Sequence, residues 1–169
     1  MPTTRLRTAG VVGAVALLLG GCGGGVEGTP VAELWDPCSL SAKALLDIGL
    51  FVEQGEMSSQ IGVDDEDWRS CDLGTATQFV TLLSTRLDLS ELRSTPRAVG
   101  AVPLEIAAQE AFQYRVVADN QCVTFVERSF GAFAVSTADR LADDAVTDLT
   151  TVCETSLEIT RALIDKIPT

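Results

Sequence analysis

The chain has 169 residues, of which 24 are acidic, 12 are basic and none is histidine, so its formal net charge is −12. The absence of histidine excludes Ser-His-Asp and Cys-His nucleophile pairs, HExxH zinc sites and histidine-based pH sensing. The acidic balance argues against nucleic-acid binding, which depends on neutralising phosphates with Lys and Arg.

Residues 1–21 have the pattern of a secretory signal peptide. Arg5 and Arg7 are their only charged residues, and an apolar stretch over 9–19 follows. That stretch is shorter than the ~20 residues a transmembrane helix needs. It ends in Leu19-Gly20-Gly21-Cys22, which is similar to a bacterial lipobox: an aliphatic residue, two small residues and an obligatory cysteine. We therefore expect Cys22 to carry diacylglycerol and palmitate; an ordinary cleaved leader is the alternative.

Lipid on Cys22 predicts a stable membrane anchor on the extracytoplasmic face of the cell membrane, because two or three acyl chains exceed the marginal hold of one. Residues 22–33 are Gly-rich and predict a flexible tether. Its eleven residues after Cys22 reach at most about 40 Å and typically span ~18 Å. Residues 34–169 predict one domain. Removal of Arg5 and Arg7 with the leader leaves the mature chain a formal net charge of −14.

The domain is expected to begin with a short helix over residues 40–50. Ser39 or Ser41 can cap it, it ends near Gly49, and its buried side is Leu45, Leu46 and Ile48. Residues 52–70 are polar and predict mostly loop. Within them, Asp64-Asp65-Glu66-Asp67 invites a calcium interpretation, but the ligand spacing of an EF-hand is missing. A solvated acidic turn is the better account.

The middle of the chain predicts an antiparallel meander. Residues 76–89 suit one or two strands, and Pro103 makes any strand over 99–106 an edge strand. In 111–117, Phe112, Tyr114 and Val116 fall on one face. Asp119-Asn120 is a turn, and residues 122–126 alternate in the same way. A further strand is expected near 132–136.

Residues 143–166 give the clearest helix pattern. Its apolar side consists of Val146, Leu149, Val152, Cys153, Leu157, Ile159, Leu163, Ile164 and Ile167. Packing this side on the sheet brings Cys153 towards a strand cysteine such as Cys122. A membrane-lying helix is the alternative, but the polar face is acidic, which is the wrong sign. The predicted fold is α+β: an antiparallel sheet of about four to six strands packed against a short N-terminal and a long C-terminal helix, with two disulfides.

Four cysteines remain after Cys22: Cys38, Cys71, Cys122 and Cys153. An even number in an oxidising compartment predicts two disulfides, for which three connectivities exist. Local order favours Cys38–Cys71 and Cys122–Cys153, each contributing about 2–4 kcal/mol. Metal binding is the rival, but no pair has CxxC spacing and there is no histidine. A catalytic thiol needs a neighbouring base, and none is evident. We expect no metal, cofactor or catalytic residue.

The chain resembles the actinobacterial lipoproteins grouped as domain of unknown function 3558. The resemblance rests on the lipobox, the tether, DPCSL at 36–40, IGL at 48–50, a mid-chain cysteine, a strand cysteine in QCVTFV and a cysteine in the last helix. DPCSL and the four-cysteine order are its specific part. Leu73 departs from the pattern, since the family often has an aromatic residue there. The resemblance implies an α+β domain on the outer face of the cytoplasmic membrane and no catalytic residues.

Three functions fit these observations. The first is a non-catalytic binding or scaffolding module whose partner is an envelope protein or a small apolar ligand held between sheet and helix. Arg86, Arg93 and Arg97 form its only basic cluster, unless they merely balance nearby acids. The second is an enzyme acting on cell-wall glycan or lipid through paired carboxylates, which need no histidine. The third, an accessory lipoprotein of a larger complex, is not separable from the first by sequence.

Overall fold

A computed structural model describes residues 33–52, 66–98, 100–140 and 149–169. Within these ranges, seven strands form one antiparallel sheet and three α-helices accompany it, so the predicted α+β class is confirmed with a slightly larger sheet than expected. The helices are α1 (Ala42–Leu46), α2 (Leu89–Arg93) and α3 (Leu149–Leu163). The strands are β1 (Phe51–Val52), β2 (Trp68–Gly74), β3 (Gln78–Thr85), β4 (Val102–Ile106), β5 (Gln109–Val116), β6 (Gln121–Arg128) and β7 (Gly131–Asp139).

The sheet consists of two meanders joined at its centre. Strands β1 to β3 pair in sequence, as do β4 to β7, and β3 pairs with β7, which gives the order β1-β2-β3-β7-β6-β5-β4. The predicted meander around the turn at Asn120 is confirmed: Phe112 pairs with Phe125 and Tyr114 with Val123. Alternation of apolar residues decides this register, because a slip of one residue would turn every buried side chain to the opposite face.

The two faces of the sheet carry separate apolar layers. The face under α3 holds Cys122 and Val126 of β6, together with Val135 and Phe133 of β7. The opposite face holds Phe125 and the other residues of the same strands that alternate with them, and it packs against α2 and the residues after it. Both faces are therefore covered, as expected for a sheet whose strands are rich in apolar residues on both sides.

The N-terminal helix is short and well capped. The Ser41 hydroxyl accepts from the Ala44 N–H at 3.2 Å, and the turn that follows the helix ends at Gly49 with φ +77°. The Leu50 N–H donates to the Leu45 carbonyl, and both side chains are buried, which is the Schellman arrangement. The prediction that Leu46 is buried was wrong: it is 65% exposed. One residue along a helix is a rotation of about 100°, so Leu46 turns away from the core that Leu45 enters.

The prediction of mostly loop over 52–70 was wrong at both ends, since Val52 belongs to β1. Residues 53–65 lie outside the described residues, but Trp68–Ser70 belong to β2 and pair with Ser84 and its neighbours on β3. Arg69 and Ser70 are polar and exposed, so the hydrophobicity pattern of the sequence does not indicate a strand here. Seven consecutive residue pairs with β3 place this segment in the sheet. Pairing with a distant strand cannot be predicted from the β-propensity of the segment itself.

The edge strand β4 confirms the expectation from Pro103. A two-residue turn, Ala107-Ala108, joins β4 to β5, and both alanines have positive φ (50° and 61°). The residues flanking such a turn form a hydrogen-bonded pair, and alternate pairs do not. Pro103 and Glu105 therefore direct their backbone groups to the free edge. Since Pro103 has no N–H to donate, it weakens this edge as a template for another strand.

The C-terminal helix packs on the sheet as predicted. Residues 141–148 lie outside the described residues, so the first turns expected for this helix are not described. Within α3, Val152, Cys153 and Leu163 are buried. Just beyond the helix, the Ile164 carbonyl accepts from Nη2 of buried Arg128 at 2.7 Å. A cation at this point satisfies a free carbonyl and complements the helix dipole. Burial lowers the pKa of Arg128, and the nearby carboxylate of Asp165 opposes that change.

Candidate functional site

The predicted lipid site, Cys22, lies outside the described residues. The leader over 1–21 lies there too, as does the tether over 22–33 except for Glu33. Nothing in the described part of the chain bears on lipid attachment, so the anchor stays a prediction from the sequence. In that part, no helix is long and apolar enough to cross a membrane.

Both predicted disulfides are confirmed. Cys38 is bonded to Cys71, and Cys122 to Cys153, with Cα atoms 5.1 Å apart in each pair. The first bond ties the 3₁₀ turn Pro37–Ser39 to β2, and its Cys38 is exposed. The second ties α3 to β6 and is buried at both ends. The Cys38–Cys71 bond is therefore more accessible to reagents in solution than the Cys122–Cys153 bond, although both bonds join another element to the same sheet.

The layer between α3 and the sheet contains a chain of hydrogen bonds that the sequence did not reveal. Gln113 Nε2 donates to Thr124 Oγ1 at 2.8 Å, and the Thr124 and Ser156 hydroxyls lie 2.7 Å apart. Ser156 Oγ donates to the Val135 carbonyl at 2.8 Å. With Thr124 donating to Ser156, each hydroxyl proton has an acceptor. Each hydroxyl is thus satisfied, which makes the buried network stabilising rather than costly.

Further buried hydrogen bonds and apolar side chains line the same layer. Thr137 Oγ1 donates to the Val152 carbonyl at 2.8 Å, beside the buried Cys122–Cys153 bond. Val152 and Leu163 lie in the same layer and are almost wholly buried. A small ligand placed here would have to displace paired hydroxyls and close-packed apolar side chains, and both carry a cost.

The three arginines of the predicted basic cluster have different surroundings. Arg93 Nη1 lies 2.6 Å from the Glu110 carboxylate, and its guanidinium stacks 5.0 Å from the centre of the Phe112 ring. It therefore serves the packing of α2 on the sheet. Arg86 is exposed and forms no ion pair with any other residue described in the structure. Arg97 is also exposed.

An aromatic cluster lies on the face covered by α2. The Phe112 and Phe125 rings are stacked with centroids 5.1 Å apart, Tyr114 stacks against both, and Trp68 meets Phe125 edge-on. Burial raises the pKa of the Tyr114 hydroxyl, and the charge of Arg97 opposes this. Alternation predicted the face shared by Phe112 and Tyr114. Trp68 was missed because Ser70 and Asp72, which follow on its face of β2, are polar.

One pair of carboxylates is placed side by side by strand register. Glu105 of β4 lies opposite Glu110 of β5, and side chains so paired have Cβ atoms about 5 Å apart. Both residues are exposed at the edge of the sheet, and Arg93 offsets the charge of Glu110. Catalytic carboxylate pairs need one member held protonated in a water-excluding cleft. Two solvated glutamates at a sheet edge do not have that environment.

The acidic run is only partly described. Asp64 and Asp65 lie outside the described residues, Glu66 is exposed, and Asp67 uses its carbonyl to accept from the Arg86 N–H at 3.1 Å. Across residues 33–52, 66–98, 100–140 and 149–169, no three His, Cys, Asp or Glu side chains come together as a metal site.

Comparisons with protein-family models, with curated proteins and with solved structures found no match to this chain.

Proposed function

We propose that this chain is a lipid-anchored lipoprotein of the cell envelope whose domain is a non-catalytic binding or scaffolding module. The observation that carries the proposal is Leu19-Gly20-Gly21-Cys22 at the end of a short apolar leader. The two disulfides support it, because such bonds persist in oxidising compartments outside the cytosol. The resemblance to the actinobacterial lipoproteins of unknown function is part of the same proposal.

The partner we propose is another envelope protein rather than a small apolar ligand. The support is the layer between α3 and the sheet, where Thr124, Thr137 and Ser156 are fully buried and hydrogen-bonded. A partner then has to use the outer surface of the domain. Arg86 and Arg97 are the exposed members of the basic cluster, and on a mature chain of net charge −14 they would attract an acidic segment.

Metabolic labelling tests the anchor. The full chain, expressed in an actinobacterial host with an alkyne analogue of palmitate, should become labelled and fractionate with membranes. The Cys22→Ser chain should lose both properties, since no other residue of the lipobox carries a thiol. A matched Thr29→Ser change in the tether should leave both intact. Equal labelling of the Cys22→Ser chain would contradict the anchor.

Cross-linking in intact cells tests the binding surface. Arg86→Glu combined with Arg97→Glu should abolish a cross-linked species formed by the parent chain. Arg161→Glu, which makes one charge reversal of the same kind on the exposed side of α3, should leave that species unchanged. If the cross-linked species were lost in both the double variant and the Arg161→Glu variant, or in neither, the assignment of the partner to this basic cluster would be contradicted.

The alternative function, an enzyme acting on cell-wall glycan or lipid, now has one testable carboxylate pair. Glu105→Gln and Glu110→Gln remove one carboxylate each while keeping side-chain size. We expect no turnover of cell-wall glycan by the parent chain. Turnover that either substitution abolished, with Glu127→Gln as an exposed control, would favour the enzyme over the binding module.

A further inference from the structure

The chain enters the domain through residues 34–40, which we name the entry segment. Its regular structure is the single 3₁₀ turn Pro37–Ser39, and it contributes no strand to the sheet. The Leu34 and Pro37 side chains are buried, whereas Cys38 is exposed. The entry segment is therefore ordered by its contacts with the sheet rather than by a repeating backbone pattern of its own.

Few contacts hold the entry segment on the sheet. The Trp35 ring lies edge-on to Phe133 and has its centroid 6.3 Å from that of Phe130. The Trp35 carbonyl accepts from the Ser84 hydroxyl. The remaining attachment is covalent, the Cys38–Cys71 bond to β2. Ordering a segment costs conformational entropy at every residue, and a disulfide reduces that cost because it keeps the chain close to the sheet even when other contacts break.

The framework of the domain lies outside the entry segment. The seven strands pair with one another. The second disulfide, Cys122–Cys153, joins α3 to β6 and is buried at both ends. The hydrogen-bonded hydroxyls of Thr124 and Ser156 lie in the same layer. Opening Cys38–Cys71 therefore frees a peripheral segment, while the sheet and α3 stay joined by the other bond.

The two disulfides differ in the access that they give to an attacking thiolate. Thiol–disulfide exchange requires a thiolate to reach one of the two sulfur atoms, and exposed disulfides are the labile or regulatory ones. Cys38 is exposed, whereas its partner Cys71 is only 5% exposed. Cys122 and Cys153 are 0% and 5% exposed. A thiolate in solution therefore reaches the sulfur of Cys38, and Cys71 carries the sulfur that leaves.

We propose that Cys38–Cys71 is a regulatory disulfide that a reduced dithiol of the cell envelope exchanges, and that its opening releases the entry segment. One thiolate of the dithiol attacks Cys38 Sγ and forms a mixed disulfide. The Cys38–Cys71 bond breaks, and its electron pair leaves on Cys71 Sγ, which takes up a proton. The second thiol of the reagent loses its proton, attacks the mixed disulfide and displaces Cys38 Sγ, which is protonated in turn. The protein disulfide gains two electrons and two protons, and the dithiol becomes a disulfide.

Release of the entry segment changes how far the domain reaches from the membrane. This consequence, unlike the exchange itself, rests on the proposed lipid anchor at Cys22. While the entry segment is docked, the tether ends at residue 33. Once the segment is released, the tether continues to residue 40, and the added residues extend its reach by at most about 25 Å. The reduced protein then meets partners further from the membrane than the oxidised protein does.

Hydrogen exchange of the full chain in detergent, before and after reduction by dithiothreitol, tests the release. At the lowest dithiothreitol concentration that opens Cys38–Cys71, peptides covering residues 36–40 should exchange at least about tenfold faster. The reason is that the amides of this turn, such as Ser39 N–H on the Asp36 carbonyl, lose their fixed geometry. Peptides covering β6 and β7 should keep their rates. Unchanged exchange over 36–40, or faster exchange throughout the sheet, overturns the proposal.

A chain with Cys38→Ser and Cys71→Ser is the matched control, because it lacks this bond under all redox conditions. It should show fast exchange over 36–40 without dithiothreitol and no further change with it. Trp35 emission gives a second measurement, since Trp68→Phe leaves Trp35 as the sole tryptophan. Reduction should shift that emission to longer wavelength. An unshifted emission, or a response of the double-serine chain to dithiothreitol, overturns the assignment of the release to Cys38–Cys71.

A trapping experiment identifies the sulfur that is attacked. The probe is a thioredoxin-like protein that keeps only its attacking cysteine, mixed with the full oxidised chain before free thiols are alkylated. Mass spectrometry should find the probe on Cys38 and the alkyl group on Cys71. A probe found on Cys71, on Cys122 or on no cysteine overturns the proposed exchange.

Neutron reflectometry on a supported phosphatidylcholine bilayer separates the reach from the exchange. The protein layer of the lipidated chain should extend further from the lipid after reduction. An unchanged layer, together with faster exchange over 36–40, overturns the change of reach alone. A chain that does not stay on the bilayer overturns the proposed anchor and leaves the exchange at Cys38 to be decided by the trapping result.

Discussion

A substitution at Gly131, the first residue of β7, tests how closely the two meanders of the sheet approach each other. Gly131 has φ +125°, and a Cβ added there would clash with the Thr85 carbonyl oxygen and lie 2.6 and 2.7 Å from backbone atoms of Arg86. Backbone atoms cannot rotate away, so β3 must shift relative to β7. Gly131→Ala should therefore lower the free energy of unfolding by at least about 3 kcal/mol, of which ~1–2 kcal/mol is backbone strain.

Gly49→Ala is the matched control, because Gly49 also has positive φ (+77°) but nothing lies within 4 Å of an added Cβ. It should cost only the backbone term, about 1 kcal/mol. Equilibrium unfolding in urea, followed by tryptophan fluorescence with both disulfides intact, measures the two losses. Equal losses for the two variants would refute the reasoning, because they would show that the strands relax around the added methyl group at no cost.

Three further predictions concern a turn, a helix cap and the disulfides. Replacing Ala107-Ala108 by Asn-Gly should raise the free energy of unfolding by about 1 kcal/mol, because both positions have positive φ; an unchanged urea midpoint would contradict this. The pKa of Asp88 is lowered from 3.8 by hydrogen bonds from the Glu91 N–H and then the Ser90 hydroxyl. The ionised Asp88 carboxylate therefore stabilises the fold fully above about pH 4, and this stabilisation is lost as pH falls through the lowered pKa. Asp88→Asn should remove the contribution of Asp88 to the pH dependence of the free energy of unfolding. Identical acid-unfolding curves for the parent chain and the variant would contradict this prediction. Graded reduction with alkylation and mass spectrometry should open Cys38–Cys71 before the buried Cys122–Cys153 bond, since Cys38 is exposed; simultaneous opening would exclude a role for access.

The parts of the fold that were predictable follow from short-range periodicity. Alternation in β5 and β6 identified the face shared by Phe112 and Tyr114, and the 3.6-residue period identified the side of α3 that contains Cys153. The short N-terminal helix was assigned its buried side without such a period, and Leu46 was misplaced. A pattern with so few repeats does not define a face.

The side-chain constellations could not be predicted, because their members come from distant parts of the chain. Thr124 and Ser156 are 32 residues apart, and Arg93 reaches Glu110 over 17 residues. Polar residues on a buried helix face interrupt the apolar pattern by which that face is predicted. Their burial is explained only by their hydrogen-bond partners, which the sequence does not identify. For this reason the sequence pattern did not reveal the buried hydroxyl of Ser156 in the layer between sheet and helix.

By itself, the sequence determined the α+β class, the side of α3 that packs on the sheet, and the pairing of Cys38 with Cys71 and of Cys122 with Cys153. These follow from local period and from the short loops that the bonds close. The lipid site proposed at Cys22 stays a prediction from the sequence, because Cys22 lies outside the described residues. Only the tertiary structure decided the β3–β7 pairing, the hydroxyl network and the exposure of Leu46. Each of these depends on which distant segments meet, and that is set by the packing of the whole domain.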